Sequence, residues 1–211
     1  MLFNSQASQD HFVYLLLYRL LKKKDEGFYL EIGAGEPIAT NNSYLFETNF
    51  KWKGVSIDIS NSLVKSWKDT RQNTLLISDA TKVDYEYILK DFPKTIDYLS
   101  LDIDEMYDVV LERIPFDKYT FKIITIEHDS YRFGTRFKDR EREILTKLGY
   151  RMICSDVKHL GYAFEDWWVN PIAFPKSILS GLSSLDLSGK EHSTILKIIS
   201  DFVSAAEKLN V

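Results

Sequence analysis

The stretch that most constrains the fold is Gly27-Phe28-Tyr29-Leu30-Glu31-Ile32-Gly33-Ala34-Gly35-Glu36-Pro37. Phe28 to Ile32 is a short, mostly apolar run, the pattern of a buried strand. It ends in Gly33-Ala34-Gly35, where the chain can turn sharply and a ligand can approach bare backbone. A dinucleotide-binding loop places a third glycine three residues further on. Here that place is Ile38, preceded by Pro37.

The rest of the chain keeps the same rhythm. Further strands are predicted over residues 53–58, 74–79, 98–104, 121–129, 150–157 and 165–169. The spacing predicts a first helix from Ser8 or Asp10 to about Lys23, with Phe12, Leu15, Leu16 and Leu20 on one face. Other helical patterns fall near residues 44–47, 61–71, 84–91, 109–111 and 136–148. Apolar strands alternating with helices predict a mainly parallel sheet covered on both faces. Ligands in such sheets sit beyond the carboxyl ends of the strands. Glu31-Gly33, Asp58, Asp79, Asp102-Asp104 and Glu127-His128 all fall at that edge. One strand-end acid is ordinarily a cap or a turn residue; a set of them on one rim predicts a site. Residues 177–190, rich in Ser, Leu and Gly, read as a linker before an amphipathic helix at about 191–209. The expected organisation is one domain over residues 1–176, with 177–211 as linker and helix packed on or near it.

With 211 residues, 45% hydrophobic and 27% charged, the chain can bury a sizeable core in a single domain. A net charge of −4 argues against a partner gripped through its phosphate backbone, so no nucleic acid is expected. Cys154 is the only cysteine, which rules out an internal disulfide framework and suits a reducing, cytoplasmic setting. The apolar run Phe12 to Leu21 is too short to span a bilayer, so no membrane span is expected.

In order and spacing, several pieces together resemble the FkbM-type methyltransferases, a branch of the S-adenosylmethionine-dependent fold. They are Ser5-Gln6 with Gln9-Asp10, Glu31-Ile32-Gly33-Ala34-Gly35, Thr40-Asn41-Asn42-Ser43-Tyr44-Leu45-Phe46-Glu47, and Trp52 to Asp58. Leu99 to Asp104, Ile126-Glu127-His128-Asp129, Gly149-Tyr150 and Glu165-Asp166-Trp167-Trp168-Val169 complete the set. The resemblance covers roughly residues 4–171. Many members carry Asp-x-Glu-Gly-x-Glu after the fourth strand; this chain has Asp102-Ile103-Asp104-Glu105-Met106-Tyr107, without the glycine and the final acid.

The resemblance implies a Rossmann-like methyltransferase fold, a mostly parallel seven-stranded sheet with helices on both faces. It implies S-adenosylmethionine as cofactor and a hydroxyl of a small molecule, sugar or glycan as acceptor. Glu31, Gly33 and Gly35 would hold the methionine end of the cofactor. Asp58 would accept the ribose hydroxyls, and Asp79 with the Ala80 amide would meet the adenine. Gln9, Asp10 and Asn42 are further cofactor candidates, with simple capping as the alternative.

An aliphatic hydroxyl is a poor nucleophile and needs a base, or a metal that lowers its pKa. Asp102, Asp104, Glu127, His128 and Asp129 lie at the ends of neighbouring strands, where such groups belong. In one mechanism His128 or Asp102 is the base and the other orients it or the acceptor. In the other, Asp102, Glu127 and His128 hold a divalent cation, magnesium or manganese, as in metal-dependent O-methyltransferases. Tyr131, Arg132, Trp167 and Trp168 are candidates for the acceptor pocket, with core burial the alternative for the tryptophans. Two other classes compete. An NAD(P)-binding oxidoreductase is opposed by Ile38; a catalytically inactive binding module is opposed by Glu31, Asp58 and Asp79.

Overall fold

The computed structural model describes residues 1–208. Its sheet is built outward from β1 (Phe28–Ile32), which pairs in parallel with β2 (Lys53–Asp58) on one side and β4 (Thr95–Leu101) on the other. β3 (Thr74–Ile77) extends the first side, and β5 (Thr120–Glu127) extends the second. The last two strands, β6 (Arg151–His159) and β7 (Tyr162–Val169), form a hairpin, and β7 runs antiparallel to β5. The order is β3-β2-β1-β4-β5-β7-β6. The fold is therefore the Rossmann-like methyltransferase arrangement. A reversed strand inserted next to β5 distinguishes it from the 3-2-1-4-5-6 order of dinucleotide-binding sheets.

Side chains alternate along each strand, which splits the interior into two cores. Tyr29, Tyr98, Ile123 and Trp167 face one side, and Leu30, Leu99, Ile124 and Trp168 face the other. The first core is covered by α1 (Gln9–Tyr14), α2 (Tyr44–Phe50), α8 (Lys176–Ser183) and α9 (His192–Lys208). The second is covered by α4 (Tyr85–Leu89), α5 (Tyr107–Arg113) and α7 (Arg136–Lys147). Two short helices complete the count, α3 (Val64–Thr70) and α6 (Ser130–Phe133). The expected first helix is present, but from Leu15 to Leu20 it widens into π-helical winding.

The linker expected at 177–190 is corrected. Half of it is α8, and Ile178, Leu179, Leu182 and Leu187 are buried in the first core. Their apolar spacing outweighs the Ser and Gly content, because that face completes the cover of the sheet. The C-terminal residues 209–211, where the last helix was expected to end, lie outside the described residues. Among the described residues no helix is long and apolar enough to cross a membrane.

Candidate active site

The chain leaves β1 toward β2 and later returns on the far side to β4, so the loops after β1 and β4 diverge. A crevice at that point is the expected ligand site. Gly33 sits where the two loops touch. Its φ is +83°, and a Cβ there would lie 1.4 Å from the Asp102 carbonyl oxygen, so only glycine fits. Gly35, at φ +56°, faces open space instead. Its N–H donates to Asp58 Oδ2 at 2.8 Å, and Ser60 N–H donates to Oδ1 at 2.8 Å. The cavity that opens here measures about 450 Å³, within the usual range for a small-molecule site. Gln6, Gly33, Gly35, Asp58, Asp79, Ala80, Asp102 and Asp104 are among its lining residues.

Asp79 takes hydrogen bonds from the Thr81 hydroxyl at 2.7 Å and the Thr81 amide at 2.9 Å. With Lys82 beside it, these hold its carboxyl down at about 2, so it stays ionised. The cavity thus offers a bare glycine turn and carboxyl acceptors at the β2 and β3 ends. That donor and acceptor set fits the cofactor implied by the sequence.

Glu31 lies behind this wall, not in it. It is buried, and it accepts from Ser43 N (3.1 Å), Ser43 Oγ (2.8 Å) and Ser56 Oγ (2.7 Å). Burial pushes its pKa up, while Arg71 and the two serines work against that. Arg71 is the centre of the support. Its guanidinium donates to Glu47 (2.7 Å), the Pro37 carbonyl (2.9 Å), Asn41 Oδ1 (3.0 Å), Ser43 Oγ (2.8 Å) and the Tyr29 hydroxyl (3.1 Å). It also stacks on Trp67 at 4.3 Å, whose indole N–H donates to the Gly35 carbonyl. Sequence reasoning missed both residues. Their spacing of four on a predicted helix, which puts them on one face, was the available signal.

Three of the cofactor candidates, Gln9, Asp10 and Asn42, are buried and are not among the cavity's lining residues. Gln9 accepts from Ala7 N–H and donates to Glu165, and Asp10 accepts from the Asn4 and Ser5 amides. They shape the N-terminal turn from which Gln6 reaches the cavity, with Ser5 bridged to Thr40. Asn42 donates to Ser100 Oγ, and its buried Oδ1 has no partner.

At the ends of β4 and β5 the structure brings Asp102 and Glu127 within hydrogen-bonding reach of each other, and Asp129 adjoins them. Burial and the Asp102 carboxylate push the Glu127 pKa far up; burial raises Asp102 as well. Two carboxyls this close hold one proton between them more readily than they bear two negative charges. The Tyr107 hydroxyl donates to Glu127 Oε2 at 3.2 Å. Asp104, Met106 and Asp129 all adopt left-handed φ values (65°, 62° and 45°), a strain that non-glycine residues show most often at functional loops. Glu105, where the related pattern has glycine, is not among them.

His128 is brought elsewhere. Its ring is fully buried; Nδ1 accepts from Ser130 N–H at 3.1 Å, which leaves the proton on Nε2. Nε2 faces Asp166 Oδ1 at 3.5 Å and Asp156 Oδ1 at 3.8 Å. Among the described residues these three form the one group of His and acid ligand atoms within 4.8 Å of each other. Cations already occupy it: Arg142 holds Asp166 at 2.7 and 2.9 Å, and both Arg142 and Lys138 reach Asp156 at 2.9 Å. Burial would raise the Asp166 pKa, but Arg142 and His128 hold it below the ordinary value. The set Asp102, Glu127 and His128 does not converge as ligands. Trp167 and Trp168, 0% and 1% exposed, fill opposite cores, with Trp167 stacked on Phe12 at 4.5 Å. Tyr131 and Arg132 lie on α6 at the rim, and Arg132 pairs with Asp104 at 3.3 Å.

Fold and cavity define the class as a methyltransferase-type α/β domain, and solved structures agree on the fold. The chain resembles a putative rRNA-methylase from Clostridium thermocellum at 10% identity and a TM-score of 0.52, covering 80% of this chain and 97% of that one. It also resembles magnesium protoporphyrin IX methyltransferase from Synechocystis, solved with bound S-adenosylmethionine, at 12% identity and a TM-score of 0.53, covering 77% of each chain. No protein-family model matches the sequence, and no curated protein does.

Proposed function

We propose that this chain is an S-adenosylmethionine-dependent O-methyltransferase of FkbM type, acting on a hydroxyl of a small neutral acceptor such as a sugar or glycan. One observation carries the reading. The cavity at the β1–β4 divergence has the glycine turn, Asp58 and Asp79 on one side and Asp102, whose carboxyl meets that of Glu127 outside the lining, at the other.

The cofactor would supply an electrophilic methyl group. Gly33 and Gly35 present backbone to its methionine end, and the Glu31–Ser43–Arg71 network holds that backbone from behind. Asp58 keeps lone pairs free for ribose hydroxyls after accepting from Gly35 and Ser60. Asp79 and the Ala80 amide serve the adenine edge. Asp102 takes the acceptor's proton, and burial raises its pKa above that of an ordinary carboxyl, which makes it a stronger base. Asp104 orients the acceptor from the cavity wall. His128, buried with its Nε2 3.5 Å from Asp166, is a positioning residue at the end of β5.

The base, not a cation, is favoured because Asp102, Glu127 and His128 do not converge as a ligand set: His128 sits with Asp156 and Asp166. A polynucleotide acceptor is disfavoured by Asp102, Asp104 and Glu105 at the mouth, which repel phosphates. Calorimetry with S-adenosylhomocysteine and with NADH tests the reading. Binding of the first alone is expected; binding of NADH alone would overturn it. A mass-spectrometric acceptor screen then identifies the methylated molecule.

A further inference from the structure

We infer that the acceptor docks on an aromatic platform formed by Tyr131 and Tyr162, which the β6–β7 hairpin carries beyond the edge of the sheet. The inference rests on the methyltransferase reading above. Pairing between β5 and β7 ends at Glu127↔Glu165, whereas β6 and β7 stay paired to His159↔Tyr162. The hairpin therefore overhangs the carboxyl edge, where ligands of such sheets sit.

Two tyrosines meet under the overhang. Their ring centroids are 5.2 Å apart at 52°, yet Tyr131 is 56% exposed and Tyr162 is 60% exposed. The rings support each other and leave most of their surface to water. The platform adjoins the reacting end of the cavity: Tyr131 lies beside Asp129, and the next residue, Arg132, pairs with Asp104 of the cavity wall. Asp129 Oδ1 is buried without a partner beside it.

The overhang is also held rigid. Gly161 N–H donates to Glu191 Oε1 at 2.7 Å, and Lys158 N–H donates to the Lys190 carbonyl at 2.8 Å. A platform fixed before binding loses little freedom when it is occupied. Its chemistry selects a neutral, ring-shaped, polyhydroxylated molecule. The C–H face of such a ring packs on the aromatic faces, and its hydroxyls donate to the carboxylates beyond. A nucleobase would stack equally well, but its phosphates would face Asp102, Asp104 and Asp129.

The test uses the full chain loaded with S-adenosylhomocysteine. Saturation-transfer NMR with a panel of methyl glycosides, and with AMP as the contrasting molecule, reads contact at the ring C–H protons. The expected result is glycoside contact that Tyr162→Ala removes and Tyr162→Phe keeps. In turnover with the best glycoside, Tyr162→Ala should raise KM roughly tenfold and change kcat far less. Glycoside contact that survives Tyr162→Ala, contact from AMP alone, or contact from none of the panel would overturn the platform. S-adenosylhomocysteine affinity, measured by calorimetry on each variant, should stay at the wild-type value. Failure of the wild type to bind it would strike the methyltransferase reading instead.

Discussion

At the scale of single residues, the acids at the cavity's two ends do different work because their surroundings differ. Asp79, half-buried and hydrogen-bonded by Thr81, stays ionised down to about 2, whereas burial raises the carboxyls of both Asp102 and Glu127, and Asp102 raises Glu127 further. A base must lose its proton before it can accept one. Turnover should therefore fall as pH drops through the raised pKa of Asp102, with a midpoint above the ordinary 3.8. Asp102→Asn should lower turnover by about 10²–10⁴-fold without weakening S-adenosylhomocysteine binding. Turnover within a few-fold of wild type would remove Asp102 from the mechanism. Glu141 offers a separate test. It is buried in α7 with neither oxygen partnered, and burial raises its pKa well above 4.5. A raised carboxyl means the folded state binds more protons than the unfolded chain above pH 4.5. Its contribution is complete below that pH and declines as pH rises toward the folded-state value. Urea unfolding at pH 5 and pH 8 should show this decline in the wild type and a smaller one in Glu141→Gln. Equal slopes would place the effect elsewhere.

Among the elements, the loop after β1 depends on a helix that never touches the cavity. Arg71 and Trp67, at the end of α3, hold residues 35–43 through the guanidinium and the indole N–H. Removing one partner of a buried ion pair leaves the other uncompensated, so Arg71→Ala should cost about 3–5 kcal/mol in denaturant unfolding. Arg71→Lys should recover little, because a point charge cannot reproduce five contacts made by a planar fork. The same variants should weaken S-adenosylhomocysteine binding although Arg71 lines no part of that cavity. Unchanged affinity would show that the loop holds its shape without this support. The strand-end acids were legible from the sequence, since each closes an apolar run. The clamp behind them was not, because Arg71, Tyr29 and the Ser43–Glu47 stretch come from three separate segments and meet only when β1, α2 and the end of α3 pack.

For the whole molecule, the first core explains why the segment expected as a linker packs instead as helix on the sheet. α8 and α9 contribute Ile178, Leu179, Leu182, Ile195, Leu196, Ile199 and Val203 to the core that also holds Tyr29 and Trp167. A chain stopped after residue 176 would expose that face of the sheet, so it should show no cooperative thermal transition by circular dichroism. A sharp transition in the shortened chain would restore the linker reading. The sequence by itself determined the alternation of strands and helices, the glycine turn after β1 and the row of acids on one rim. Those features are local: a strand's apolar run, a turn's need for positive φ and a strand-end carboxylate are written in neighbouring residues. Only the tertiary structure decided which side each residue serves. Adjacent strand residues face opposite ways, so Glu127 turned to Asp102 while His128 turned to Asp166, and Trp167 and Trp168 went to different cores. One residue's difference in register reverses that facing. The partners that give each face its meaning come from residues far away in the chain.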